Sequence, residues 1–134
     1  MNKRRRRIQK RNSRARKCEA AIQRSCRRTI LNTINGRATI PGEENLRSPR
    51  RLVMVTPNND ALVASLRATA GATVGVVVQG EAAHRAMTTH TTSLALRFDP
   101  SANGQWTVTV EKNRWGRHGF SMRVALYAGQ WFAV

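Results

Sequence analysis

Apolar and polar residues alternate regularly along three stretches in the last third of the chain, residues 93–99, 105–112 and 120–126. A period of two places the apolar side chains on one face of a strand. The apolar positions of the three stretches are Leu94, Leu96, Phe98, Trp106, Val108, Val110, Phe120, Met122, Val124 and Leu126. Turn-forming residues separate them, so the pattern predicts an antiparallel meander, to which residues 131–134 add a final short strand.

Weaker patterns precede the meander. Residues 52–56 form a short β-rich run, and residues 73–79 contain four valines, which favours a buried strand. Between them, apolar spacing predicts a brief helix that Asp60 caps and Gly71 ends. Residues 81–92 are small and polar, which predicts a loop with one helical turn. The expected fold is therefore mainly β, as an antiparallel sandwich or a partly closed barrel.

A helical period appears earlier in the chain. Small and apolar residues recur there at spacings of three and four, which places them on one side of a helix. They are Ala15, Cys18, Ile22, Cys26, Ile30 and Ile34. Ser13 is the expected N-cap, and Asn35-Gly36 is a typical helix stop. Residues 1–12 contain little apolar surface and are expected to be disordered without a bound anion.

Positive charge is concentrated around this helix. Residues 1–37, here called the basic arm, contain 14 Lys and Arg residues against one acid, Glu19, and so carry +13 of the chain's net +17. Nucleic acid is the polyanion of highest charge density, and arginine forks fit its phosphates. The predicted nucleic-acid-binding residues are Lys3, Arg4, Arg5, Arg6, Arg7, Lys10, Arg11, Arg14, Arg16, Lys17, Arg24, Arg27 and Arg28.

Three other interpretations of the basic arm remain open. Its helix could lie on its own domain with solvated arginines, or on an anionic membrane surface. An Arg-rich, acid-poor start also occurs in mitochondrial targeting peptides. The chain contains no run of 18 apolar residues, so no membrane-spanning segment is expected.

The change in charge divides the chain into three parts. The basic arm is followed by a linker over residues 38–49, rich in turn formers, and by a single β domain over residues 50–134. From residue 38 onward, ten basic and six acidic residues leave a net charge of only +4.

No catalytic or cofactor motif is present, so a non-enzymatic protein without cofactor or metal is expected. His84, His90 and His118 are scattered and predicted to be surface residues. Asp99 is predicted to open a turn, with a calcium site between subunits as the alternative.

Cys18 and Cys26 are expected to be small apolar residues in a reducing compartment, with an intermolecular disulfide or a metal role as alternatives.

The aromatic residues lie mostly in the last third of the chain. Trp106 and Phe120 continue apolar faces and are predicted to be core residues. Trp115 lies in a turn beside Arg114 and Arg117 and is the candidate for an exposed aromatic contact with nucleic acid or another subunit.

The chain resembles coat proteins of small icosahedral single-stranded RNA viruses, especially satellite viruses. The features that carry the resemblance are the Arg-rich run from Lys3 to Arg7, the basic helix and the alternating strands from Leu94 onward. The resemblance implies an eight-stranded jelly-roll shell domain that packages genomic RNA with its N-terminal arm. It also implies assembly of about 60 copies, in a virion formed in the host cytoplasm. Residues 50–134 are few for eight strands, so a trimmed jelly roll or another β sandwich is the alternative.

Two further functions compete with the coat protein. The first is a small RNA-binding protein, ribosome-associated or regulatory, that uses the same basic arm. The second is an enzyme that acts on nucleic acid.

Overall fold

The computed structural model describes residues 3–37, 51–71, 74–89, 91–114 and 116–134, with the side chains of residues 3–8, 12 and 51 left out. The predicted linker, His90 and Trp115 therefore lie outside the described residues. The elements, in chain order, are α1 (Lys3–Ile34), β1 (Arg51–Thr56), α2 (Asp60–Ala70), β2 (Val74–Val78), α3 (Glu81–Thr88), β3 (Thr92–Pro100), β4 (Trp106–Asn113), β5 (Ser121–Tyr127) and β6 (Gln130–Ala133).

All six described strands belong to one mixed sheet with the order β2-β1-β3-β4-β5-β6. The predicted meander is confirmed, because β3, β4, β5 and β6 are successive antiparallel neighbours. The prediction of a wholly antiparallel sheet is wrong, because β1 pairs in parallel with both β2 and β3. Parallel neighbours need a crossover connection, and α2 and α3 supply the two crossovers.

The mainly β prediction is right only in part. Six strands are present, but the three helices together contain more residues than the strands. Helices rather than a second sheet cover the described sheet, so the jelly-roll sandwich is not confirmed.

Helix α3 occupies most of the segment that was predicted to be a loop. Ala83 is buried against Val53 and Val55 of β1, and the Arg85 guanidinium donates to the Glu81 carboxylate at 2.8 Å one turn away. Alanine has the highest helix propensity, and an ion pair at this spacing supports a helix. The apolar period was hard to recognise because alanines supply most of the buried face.

Helix α1 begins earlier than predicted. It runs without interruption from Lys3, so Ser13 is a mid-helix residue rather than an N-cap, and the described part of residues 1–12 is helical. Arginine, lysine and glutamine propagate a helix well once another part of it is stabilised by packing. The predicted stop is confirmed: Gly36 has φ +73°, and a Cβ there would lie 2.7 Å from the Thr69 carbonyl oxygen.

Helix α2 agrees with the prediction except at its cap. Asn59, one residue before the predicted Asp60, is the N-cap, and its side-chain oxygen accepts a hydrogen bond from the Leu62 amide at 3.0 Å. Gly71 follows the last helical residue, as predicted.

The main core lies between one face of the sheet and the helices α1 and α2. The last turns of α1 contribute Ile30 and Ile34, and α2 contributes Leu62 and Leu66. The strand residues of this core are Leu52, Met54, Val74, Leu94, Leu96, Phe98, Val108, Val110, Met122, Val124 and Trp131. Trp106 and Phe120 pack against this core but are only half-buried, so the prediction of both as core residues is right in part. Helix α3 packs on the opposite face, against β1, β2 and β3.

Trp131 of β6 joins three parts of the structure. Its ring meets that of Phe98 edge to face with centroids 6.1 Å apart, and its indole N–H donates to the Thr69 hydroxyl at 3.0 Å. Its backbone N–H donates to the Asn35 side-chain oxygen at 2.8 Å, and its carbonyl accepts from the Asn35 side-chain nitrogen at 3.1 Å. Asn35 thus occupies part of the outer edge of β6, as another strand would.

Candidate nucleic-acid interface

The predicted apolar stripe of α1 contains two groups of residues with different surroundings. Cys26, Ile30 and Ile34 are buried against the body, as a docking stripe requires. Ala15 and Cys18 are exposed, and Ile22 remains 38% exposed. Among the described side chains of α1, only those in its last third are therefore anchored in the core, and residues 9–25 present nearly their whole circumference to solvent.

Five basic side chains form a stripe on the side of α1 opposite Ile30. Their spacings of three, four and seven residues place them in nearly the same direction around a helix of 3.6 residues per turn. They are Lys10, Arg14, Lys17, Arg24 and Arg28, here called the basic stripe, and all are exposed. At 1.5 Å per residue the basic stripe is about 27 Å long. Arg11, Arg16 and Arg27 lie about 100° or more around the helix from the basic stripe and are exposed too.

These eight cations have no ion pair or side-chain hydrogen bond within the part of the chain that the structure describes. Exposed cations at this density attract counterions, which a bound polyanion would displace. The backbone of Lys3–Arg7 continues the same helix, while the side chains of those five residues lie outside the description. All 13 predicted binding residues thus lie along one continuous helix.

The one acid of the basic arm has a specific partner. The Arg117 guanidinium donates to the Glu19 carboxylate and so connects the β4–β5 loop to the middle of α1. This contact places Arg114 and His118, both exposed, on a loop that is tied to the basic helix. Sequence analysis placed Arg117 beside Trp115 but missed its contact with Glu19, because 98 residues separate the two.

The remaining candidates for chemistry are dispersed. His84 on α3 and His118 in the β4–β5 loop are both exposed, as predicted. Asp99 lies in β3 rather than in the turn, and its carboxylate accepts from the Arg97 guanidinium at 3.0 Å. Cys18 is exposed and Cys26 is buried, both as free thiols. Among the described residues, no three His, Cys, Asp or Glu side chains are grouped as metal ligands would be.

None of the described helices combines the length and apolarity that crossing a membrane requires. Comparisons of the chain with protein-family models, with curated proteins and with solved structures gave no match. The basic stripe and the β4–β5 loop, which Arg117 connects to Glu19 of α1, are the described features from which a function is proposed.

Proposed function

We propose that this protein binds single-stranded RNA along α1 and acts by binding rather than by catalysis. The observation that carries the proposal is the basic stripe, whose five cations are exposed and lack ion-pair partners among the described residues. Such an array gains free energy from released counterions when it meets a chain of phosphates. Anchoring through Ile30 and Ile34 holds the array on a fixed body, so fewer degrees of freedom are lost on binding than with a disordered tail.

A membrane surface fits α1 less well than RNA does. A helix that lies in a bilayer interface needs a continuous apolar face along its length. In α1 the large apolar residues Ile30 and Ile34 are already buried in the core. Of the predicted apolar stripe, only Ala15, Cys18 and Ile22 remain on the exposed turns. The exposed part of α1 is thus dominated by charge, which matches a polyanion.

The test compares two charge-matched double variants of the full chain. Lys17→Gln/Arg24→Gln removes two cations of the basic stripe, and Arg67→Gln/Arg85→Gln removes two exposed cations from α2 and α3. Glutamine keeps helix propensity close to that of lysine and arginine. The affinity for a labelled 20-nucleotide RNA is measured by fluorescence anisotropy across a series of salt concentrations, and circular dichroism checks the fold.

We expect the first variant to lower the slope of log affinity against log salt by about 1.4, since each phosphate contact with a single strand contributes about 0.7. The second variant is expected to leave the slope unchanged. Equal reductions in both variants would mean that net charge alone drives binding, without a role for α1 as a site.

A coat protein that packages single-stranded RNA in a small icosahedral shell is the second candidate function. It needs subunit contacts, and the outer edge of β2 favours it: β2 pairs only with β1 among the described strands. Its sequence, VGVVV, contains none of the charges or prolines that usually block strand-to-strand association, and Val78 is 40% exposed.

Size-exclusion chromatography of protein expressed in cells separates the two candidates. Absorbance at 260 and 280 nm is followed before and after nuclease treatment. A megadalton peak that retains nuclease-resistant RNA would support the coat protein and its location in a virion. A peak of one or two chains that loses its nucleic acid to nuclease would reject it and leave the RNA-binding function in place.

A further inference from the structure

A cleft of about 320 Å³ lies where α1 approaches the edge of the sheet. Its polar lining consists of Arg27 from α1, Thr107 from β4, and Ser121 and Arg123 from β5. Strand β6 pairs with β5 from Val124 onward, and the Val134 N–H donates to the Arg123 carbonyl at 3.1 Å, so Ser121 and Met122 are left at the sheet edge. Arg123 alternates with the buried Met122 and Val124 and so lies on the face of the sheet opposite the main core, whereas Arg27 belongs to α1 on the core side.

No ion pair with a described residue neutralises the two arginines of this cleft. Its lining contains no Asp or Glu among the residues that the structure describes. Other arginines of the body differ: Arg97 contacts Asp99 at 3.0 Å and Glu111 at 2.5 Å. Arg85 and Arg117 pair with Glu81 and Glu19. Four of the five acids within the described ranges are thus engaged elsewhere, and the fifth, Asp60, begins α2.

Hydroxyl groups complete the lining. Thr107 and Arg123 are directly opposite each other across β4 and β5, on the same face of the sheet. The Thr107 hydroxyl has no hydrogen-bond partner among the described residues, and the Ser121 hydroxyl shares one hydrogen bond with Thr109 at 2.9 Å. Two guanidinium groups with nearby hydroxyl donors are a combination suited to a phosphate, whose oxygens accept several hydrogen bonds at once.

We propose that this cleft binds a phosphate group of the RNA that follows α1, with Arg27 and Arg123 contacting it from opposite sides. The inference rests on the proposed function and adds a site on the body to it. Arg27 precedes Arg28 of the basic stripe in the chain and lies about 100° from it around the helix. An RNA strand that leaves the basic stripe would therefore reach the cleft by curving around α1. RNA bound along α1 would thereby also contact the sheet.

The test uses single substitutions at Arg123, which is exposed and outside the core. Arg123→Gln is expected to weaken binding of the 20-nucleotide RNA about tenfold at fixed salt, as for loss of a charged hydrogen bond. It should also lower the salt slope by about 0.7. Arg123→Lys should keep the slope and still lose affinity severalfold, because an ammonium cannot contact two phosphate oxygens as the fork does. Arg67→Gln is the matched control.

A double-mutant cycle tests whether the two arginines bind the same ligand. If Arg27 and Arg123 bind the same phosphate, Arg27→Gln/Arg123→Gln should weaken binding by less than the product of the single effects. Fully multiplicative effects would overturn the shared site. Thermal unfolding of each variant checks that the fold is unchanged.

Competition with adenosine monophosphate tests whether the cleft binds a phosphate of RNA or a free nucleotide. We expect it to compete with RNA only weakly, at millimolar concentration, and this competition to disappear in Arg123→Gln. Saturable nucleotide binding that Arg123→Gln abolishes while RNA affinity stays unchanged would overturn the proposal and assign the cleft to a free nucleotide. Unchanged RNA binding in Arg123→Gln, with a reduced slope in Lys17→Gln/Arg24→Gln, would reject the cleft alone. An unchanged slope in both would reject the proposed function as well.

Discussion

Residues 9–25 and 26–34 of α1 belong to one uninterrupted helix, but different forces act on them. The later segment buries Cys26, Ile30 and Ile34 in the main core, where the hydrophobic effect dominates. In the earlier segment nearly every side chain is exposed, and the helix continues on backbone hydrogen bonds and favourable propensity. The buried segment therefore determines where α1 lies, and the exposed segment determines what it attracts.

Shortening a buried side chain in residues 26–34 should have the largest effect on stability. Ile30 is fully buried, and Ile30→Ala is expected to lower the free energy of unfolding by about 2–5 kcal/mol, through lost burial and a residual cavity. Ile22→Ala, on the same stripe but 38% exposed, should cost less than about 1 kcal/mol. Urea denaturation measures both. Similar losses in the two variants would show that α1 is anchored along its whole length.

The junction between α1 and the sheet should give an intermediate effect. Asn35→Ala removes both side-chain hydrogen bonds to the Trp131 backbone and is expected to cost about 1–3 kcal/mol, since those backbone groups lose their partners. It should also speed hydrogen exchange at the Trp131 amide. Asn32→Ala is the control, because the Asn32 side chain has no hydrogen bond within the described residues. Unchanged exchange at Trp131 would exclude a protective role for Asn35 at the edge of β6.

The smallest effect on stability is expected where the exposed segment meets the β4–β5 loop. Glu19→Gln breaks an exposed ion pair with Arg117 and should cost less than about 1 kcal/mol. It also removes the one acid of the basic arm and frees Arg117, so RNA affinity should rise modestly in anisotropy titrations. Glu81→Gln breaks the comparable pair with Arg85 on α3 and should leave RNA affinity unchanged. Equal gains in affinity would trace the effect to net charge.

The predictions from sequence were most accurate where a single period continued over several turns or strand residues. The alternation at Leu94, Leu96 and Phe98 identified β3, and the spacing of Cys26, Ile30 and Ile34 identified the docked face of α1. Helix α3 was missed because alanines make up much of its apolar side. A short Ala-rich segment carries little hydrophobic contrast, although its helix propensity is high.

Strand direction was the other point at which periodicity was insufficient. β1 is buried on both faces, and the apolar run this produces is typical of parallel strands, but a run this short also occurs in the core strands of a sandwich. The direction of β2 and β3 relative to β1 depends on α2 and α3, which return the chain to the same end of the sheet. An antiparallel prediction followed from the hairpins of the last third, which do not extend to β1.

The sequence by itself determined the charge of the basic arm, the helical period of α1, its stop at Gly36 and the meander of β3–β6, because each depends on residues close together in the chain. Only the tertiary structure decided which turns of α1 are buried, how Glu19 meets Arg117, and how Arg27 and Arg123 come to line one cleft. These depend on where packing brings distant segments together. Local periodicity carries no information about such contacts, since the same pattern is compatible with many arrangements of the elements.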